Sequence, residues 1–225
     1  MKKYLYLVAI ALVSCGAILS SCSDDKISGD SIFSTKAVER NAFDQWLYKN
    51  YTMPYNIEFQ YRLKTEETDQ AYNFVPADSA KSVKLAILTK YMWFDAYAET
   101  VGLDFIKENA PRIIVVTGTP GYTRYRTEVI GSAEGGYKVR LGKVNALTDE
   151  QLKDYGSMNN YYFHTMHHEF MHILNQKKPY DESYDNISRS DYVSGNWTSI
   201  PDKKAQSMGF VSAYSMENPA EDIAE

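Results

Sequence analysis

Histidine is scarce in this sequence and cysteine scarcer: 225 residues include four histidines and two cysteines, Cys15 and Cys22. With both cysteines at the N-terminus, no disulfide framework can staple the body of the protein, which must be held by its own core. Basic clusters are missing too. None is longer than Lys177-Lys178 or Lys203-Lys204 and the net charge is −5, which argues against nucleic acid as a partner. There is no internal repeat and no low-complexity tract. The longest apolar run, near the N-terminus, holds about 16 residues where roughly 20 are needed to span a bilayer.

That run is still informative. In "MKKYLYLVAIALVSCGAILSSCSDD", Lys2 and Lys3 precede an apolar stretch to Leu19 and small residues before Cys22, the layout of a secretory signal. Leu19-Ser20-Ser21-Cys22 resembles a bacterial lipobox, in which the cysteine is acylated and becomes the first mature residue. Leu12-Val13-Ser14-Cys15 fits the same pattern, but it would leave a very short apolar core and strand Ala17-Ile18-Leu19 on the mature side, so Cys22 is preferred. The expected layout is a signal peptide over 1–21, a lipidated polar tether over 22–33 and one domain over 34–225, touching the membrane only through its lipid anchor. Losing Lys2 and Lys3 with the signal takes the charge from −5 to −7. About 200 residues suffice for one domain with a real core. Aromatic content is high, with 19 tyrosines, which core packing explains first.

Periodicity places the elements. Behind Ser34 as a cap, Val38, Ala42, Phe43, Trp46 and Leu47 recur at helical spacing, predicting an amphipathic helix to about residue 50. "YNIEFQYRLK" (55–64) alternates Tyr55, Ile57, Phe59, Tyr61 and Leu63 with polar residues, predicting a half-buried strand. Asp78 or Ser79 caps a second helix to about Thr100, with Val83, Ile87, Tyr91 and Phe94 on its apolar face. "LDFIKEN" reads as a short helix and "RIIVVTG" as a buried strand. "GYTRYRTEVIG" and "GGYKVRLGKV" follow, the latter with Tyr137, Val139 and Leu141 inward, in a mixed sheet with at least one antiparallel pair. "TDEQLKDY" (148–155) predicts a short helix, and Asn159 or Asn160 a cap for the next one. Lys177 to Phe210 lacks periodicity and reads as a long loop, of the kind that is often functional.

The helix after Asn160 carries all four histidines, in "YYFHTMHHEFMHILNQ" (161–176). Within it His168-Glu169-Phe170-Met171-His172 is an H-E-x-x-H pattern, which turns two imidazoles toward one ion. Glu169 lies about 100° round the helix and reaches a water rather than the metal. Phe163, Met166, Phe170, Ile173 and Leu174 support a buried helix. His164 also stands four residues from His168, but His164 and His172 lie about 12 Å apart along the axis, so one ion cannot take both. His164 and His167 are therefore read as non-ligands, structural or lining the cleft.

A third ligand is required, and no histidine follows His172. Asn175 and Lys178 stand where H-E-x-x-H-x-x-G-x-x-H needs Gly and His, which excludes a metzincin and leaves a carboxylate. "SAYSMENPAEDIAE" offers one: Pro219 can open a helix on which Glu221 and Glu225 share a face. Glu221 can complete a His/His/Glu zinc site, while Glu225 hydrogen-bonds a ligand imidazole. Taken alone, acids in a first turn merely favour the helix dipole; beside the H-E-x-x-H helix the ligand reading is the stronger.

The two segments, H-E-F-x-H followed about 50 residues later by Y-x6-E-D-x-A-E, resemble the gluzincin metallopeptidases and are similar to the active-site pattern of anthrax lethal factor. The resemblance implies Glu221 as zinc ligand and Tyr214, seven residues before it, as donor of a hydrogen bond to the developing oxyanion. The whole chain, lipobox included, is similar to a Bacteroidetes family of zinc metallopeptidase lipoproteins associated with substrate import, and "FIKENAPRIIVVTG" and "GSAEGGYKVRL" look like that family as well. This implies a TonB-dependent receptor and its glycan-binding lipoprotein as partners and an outer-membrane or cell-surface location; "CSDD" resembles a surface-sorting signal. In that family the last helix runs on, so the domain is expected to continue past Glu225.

The expectation is a single α+β zincin-like domain: a mixed sheet, an active-site helix and a C-terminal ligand helix, hydrolysing a peptide or glycopeptide. Zinc sits on His168, His172 and Glu221, Glu169 acts as general base, Tyr214 stabilises the oxyanion and Glu225 orients a ligand. "YKVRL" (137–141) is a candidate edge for an extended substrate to pair with, and "RIIVV" another. Two alternatives stay open: a zinc hydrolase acting on something other than a plain peptide, such as a glycopeptide or a cell-wall crosslink, and a surface binding module of an import system with a structural or vestigial site. Against the second, a structural zinc closes its fourth position and has no use for Glu169.

Overall fold

A continuous β-branched run dictates the centre of the sheet. The computed structural model describes residues 39–67, 73–122 and 128–225; the expected signal segment, Cys22 and the tether lie outside the described residues. In chain order the strands are β1 (Glu58–Gln60), β2 (Ile113–Val116), β3 (Gly121–Tyr122), β4 (Glu128–Val129), β5 (Gly131–Glu134) and β6 (Lys138–Leu141). The main sheet has the order β1-β2-β6-β5, and β3 pairs with β4 separately. β2 is parallel to both β1 and β6. Ile114, Val115 and Val116 are fully buried, which is why this strand is apolar throughout instead of alternating. β5 runs antiparallel to β6. The turn between them is Gly135-Gly136-Tyr137, whose two glycines have φ of 60° and 71°, left-handed values that glycine adopts without strain.

The mixed α+β architecture agrees with the sequence reading; the identity of the edge does not. Both "YKVRL" and "RIIVV" fall on inner strands, and the edge beside β6 is β5. Its sequence, "GSAE", is too short and too small to announce a strand. Tyr137, expected inward, is 51% exposed because it belongs to the turn. The strand expected over 55–64 shrinks to β1, although Tyr55, Ile57, Phe59 and Tyr61 are all buried.

The helices are α1 (Ala42–Leu47), α2 (Met53–Tyr55), α3 (Ser79–Thr89), α4 (Ala96–Val101), α5 (Leu103–Asn109), α6 (Tyr155–Met158), α7 (His164–Lys177), α8 (Asp202–Ser207) and α9 (Pro219–Ala224). π turns at Tyr48–Thr52, Lys90–Asp95 and Asn159–Phe163 join α1 to α2, α3 to α4 and α6 to α7. The Ser34 position lies outside the described residues; Asn41 caps α1 with a full capping box. Asp78 caps α3 as expected, but the inward face differs. It is formed by Ser82, Leu85, Ala86 and Thr89; of the residues expected there Phe94 is buried, in the π turn that follows, while Ile87 is 48% and Tyr91 69% exposed. Small and hydroxyl residues make that face, and an apolar count overlooks them. Ser82 is satisfied locally, its hydroxyl donating to the carbonyl of Asp78.

α6 begins at Asp154, whose side chain accepts from the Ser157 N–H; Asn159 and Asn160 are inside the π turn and cap nothing. Thr148 and Gln151 exchange reciprocal hydrogen bonds, but only a 3₁₀ turn follows, Gln151–Lys153. Met166, Phe170 and Ile173 of α7 join Leu85, Trp93, Phe94, Ile114, Val139 and Leu141 in one core. The expected loop to Phe210 does contain α8 and two 3₁₀ turns, Glu182–Asn186 and Ser194–Ser199. It closes a second, smaller core of Ala205, Phe210, Ala213 and Met216, with Tyr192, Val193, Trp197 and Ile200 packed against it. Among the described residues no helix is long and apolar enough to cross a membrane.

Candidate metal centre

α7 has a back and a front. On the back, Phe170 meets Trp93 at 5.6 Å and Tyr97 at 5.2 Å, both edge-on, and this aromatic packing fixes the rotation of the helix. On the front, His168 and His172 stand one turn apart with their Nε2 atoms separated by 3.1 Å. α9 brings the carboxylate. Asn218 accepts from the N–H groups of Ala220 and Glu221 and Pro219 takes the first helical position, a start signal that needs no tertiary help.

Oε2 of Glu221 then lies 3.0 Å from Nε2 of His168 and 3.3 Å from Nε2 of His172. Ligand atoms held about 2.0–2.1 Å from a tetrahedral zinc stand about 3.3–3.4 Å from one another. The three atoms fit that requirement to within a few tenths of an ångström. Two imidazoles and one carboxylate are also the donor set of zinc sites that keep a fourth position open. Among the described residues no fourth side chain joins the group.

Glu225 is drawn to the other nitrogen of the same imidazole. Its Oε1 is 3.2 Å from Nδ1 of His168 and 3.3 Å from Nε2 of His164. The Nδ1 contact is an ion-pair approach off the N–H direction, not a straight hydrogen bond. Ser212 Oγ donates to Oε2 of the same carboxylate at 2.6 Å. His164, His168 and Glu225 thus form a second group of possible metal donors. It shares His168 with the first, and one imidazole serves two ions only by losing both of its protons. The arrangement is better suited to orienting His168. His167 turns elsewhere, its Nδ1 3.3 Å from the hydroxyl of Tyr97. Ser212 and the His164 contact escaped the sequence reading, since neither carries a local signal.

Glu169 lies against β5, where the Ala133 backbone N–H bonds its carboxylate. Gly131 permits this approach: a Cβ there would collide with the Thr165 methyl and reach 3.4 Å from Oε1 of Glu169. Burial raises the pKa of Glu169 against the opposing pull of His168 and His172. Glu221 behaves the other way. Burial would raise its pKa, but hydrogen bonds with His168 and His172 hold it well below the usual carboxylate range. The Tyr214 ring stacks on His168 at 5.6 Å, and Trp197 meets it edge-on at 4.8 Å. Burial, then the charge of Glu221, push the Tyr214 hydroxyl far up, so it stays protonated at neutral pH.

Residues 36–225 match the family described as "Putative zinc-binding metallo-peptidase". The chain belongs to this family. A crystal structure from Bacteroides caccae, described as that of a putative zinc-binding metallo-peptidase, is 43% identical and superposes with a TM-score of 0.67 over 87% of this chain and 73% of the other. No curated protein matches the sequence. Zinc is accordingly the metal of this metallopeptidase family, and the His168, His172 and Glu221 cluster is a place that can hold it.

In the metal-free protein, burial lowers the pKa of His168, but the hydrogen bond to Glu221 and the nearby Glu225 carboxylate outweigh it and lift the value to about 9. Relative to about 6.5 unfolded, the raised value means that the charged imidazole stabilises the metal-free fold fully below about pH 6.5. That contribution is lost as pH rises through about 9. Zinc must displace this proton. Zinc affinity is therefore expected to climb about tenfold per pH unit between about pH 6.5 and 9, measured by chelator competition at several pH values. A flat affinity across that window would contradict the assignment of His168.

Proposed function

We propose that the chain is a zinc-dependent peptidase of the gluzincin type, carried on the outer membrane by a lipid on Cys22 and acting on a peptide or glycopeptide. The observation that carries the reading is Glu169. It is a half-buried carboxylate, one residue on from His168, that belongs to neither cluster of metal donors. A purely structural zinc has no need of such a group.

When bound, zinc supplies Lewis acidity, which eases loss of a proton from water and polarises the scissile carbonyl. Glu169 takes that proton on its carboxylate and passes it to the leaving amine. Its raised pKa suits both halves of the task. The Tyr214 hydroxyl donates to the carbonyl oxygen as charge builds there, and its stacking on His168 supports this placement. Glu225 keeps a proton on Nδ1 of His168, leaving Nε2 free to be a ligand. β5 is the edge against which an extended substrate backbone can pair, and Glu169 is already seated on it.

The envelope location rests on the lipobox-like Leu19–Cys22 and on the likeness to import-associated lipoproteins. That likeness also suggests a TonB-dependent receptor and its glycan-binding lipoprotein as neighbours. The function is tested by incubating the zinc-loaded protein with libraries of peptides and glycopeptides. Cleavage that stops on chelation and returns with zinc is expected. A folded, zinc-loaded protein that cleaves neither but retains glycans would contradict the proposal and favour a surface binding module.

A further inference from the structure

α9 presents Glu221 to the two imidazoles. A metal centre needs its ligands placed to a fraction of an ångström, so what holds this helix in place also sets the site.

The neighbour of the ligand is where it is held. Asp222 points about 100° away from Glu221, and the Tyr192 hydroxyl donates to its Oδ2 at 2.8 Å. Tyr184 faces the same carboxylate: burial, then Asp222, push its hydroxyl pKa up to about 12. Both tyrosines are themselves fixed. Tyr192 packs edge-on against Phe210 at 5.6 Å, part of the smaller core, and the adjacent Val193 N–H bonds the Met216 carbonyl at 2.8 Å. Tyr184 meets Tyr180 edge-on at 5.5 Å, and Tyr180 in turn donates to Asp185 at 3.0 Å. The aperiodic segment after α7 thus grips the residue beside Glu221.

We infer that Asp222 is a positioning residue of the metal centre: gripped by Tyr192 and Tyr184, it sets the orientation of α9 and through it the affinity of the His168, His172 and Glu221 site for zinc. The inference rests on the His/His/Glu reading. A merely structural role, docking α9 on the smaller core, would lower the stability of the metal-free protein and leave zinc affinity in the folded chain unchanged.

The test is the zinc dissociation constant of the full chain, by competition with a chromophoric chelator, together with the thermal midpoint of the metal-free form. The variants are Asp222→Ala, Asp222→Asn and the Tyr184→Phe/Tyr192→Phe pair, with Glu221→Gln as a control. Asp222→Ala and the tyrosine pair should weaken zinc about 10- to 100-fold, the range for groups that support metal ligands. Asp222→Asn, which keeps an acceptor for the hydroxyls, should recover most of it. The tyrosine pair keeps both rings in place and should keep the metal-free midpoint, so it decides the matter even if Asp222→Ala does not fold. Wild-type affinity in the tyrosine pair, with zinc lost in Glu221→Gln, overturns this inference alone. Wild-type affinity in Glu221→Gln as well overturns the reading of the site beneath it.

Discussion

Replacing Glu169 by glutamine is expected to lower kcat/KM by about 10²–10⁴ while the protein keeps its zinc. The side chain keeps its shape, and its amide oxygen can still accept from the Ala133 N–H that bonds the native carboxylate. What glutamine cannot do is take a proton. Because Glu169 belongs to neither group of metal donors, metal content should not follow activity downward. Steady-state hydrolysis of a peptide from the library screen, with zinc measured on the same preparations, separates the two quantities. Full activity in the variant removes Glu169 from the chemistry. Loss of zinc in step with activity makes it a support of the site instead of a base.

The parts of the molecule that were legible in the sequence are those where local chemistry decides the outcome. His168 and His172 share a front because a helix repeats every 3.6 residues, and Asn218-Pro219 starts a helix wherever it stands. The need for a third ligand and the gluzincin resemblance then pointed Glu221 at both imidazoles, and the atoms do meet. β2 was legible for a similar reason, since a strand covered on both faces leaves an unbroken apolar run.

What was not legible depends on partners distant in the chain. β5 is a strand only because β6 lies beside it, so "GSAE" gave no sign of being the edge. The inward face of α3 is built from Ser82, Ala86 and Thr89, whose size matters more there than their polarity. The grip on Asp222 joins residues 30 apart in sequence and that on Glu225 residues 13 apart. The first comes from a segment with no period to read.

The second large effect concerns the metal itself. Glu221 is the single carboxylate in the group with His168 and His172, and those imidazoles hold it ionised. Glu221→Gln preserves the size of the side chain but removes the charge that offsets the cation, so zinc occupancy and hydrolysis should both collapse. The decisive measurement is zinc per chain by elemental analysis, on wild type and Glu221→Gln shown to be equally folded by circular dichroism. About one zinc in the wild type and a small fraction of that in the variant is the predicted result. Equal zinc in the two proteins, or none in a folded wild type supplied with zinc, would contradict the account.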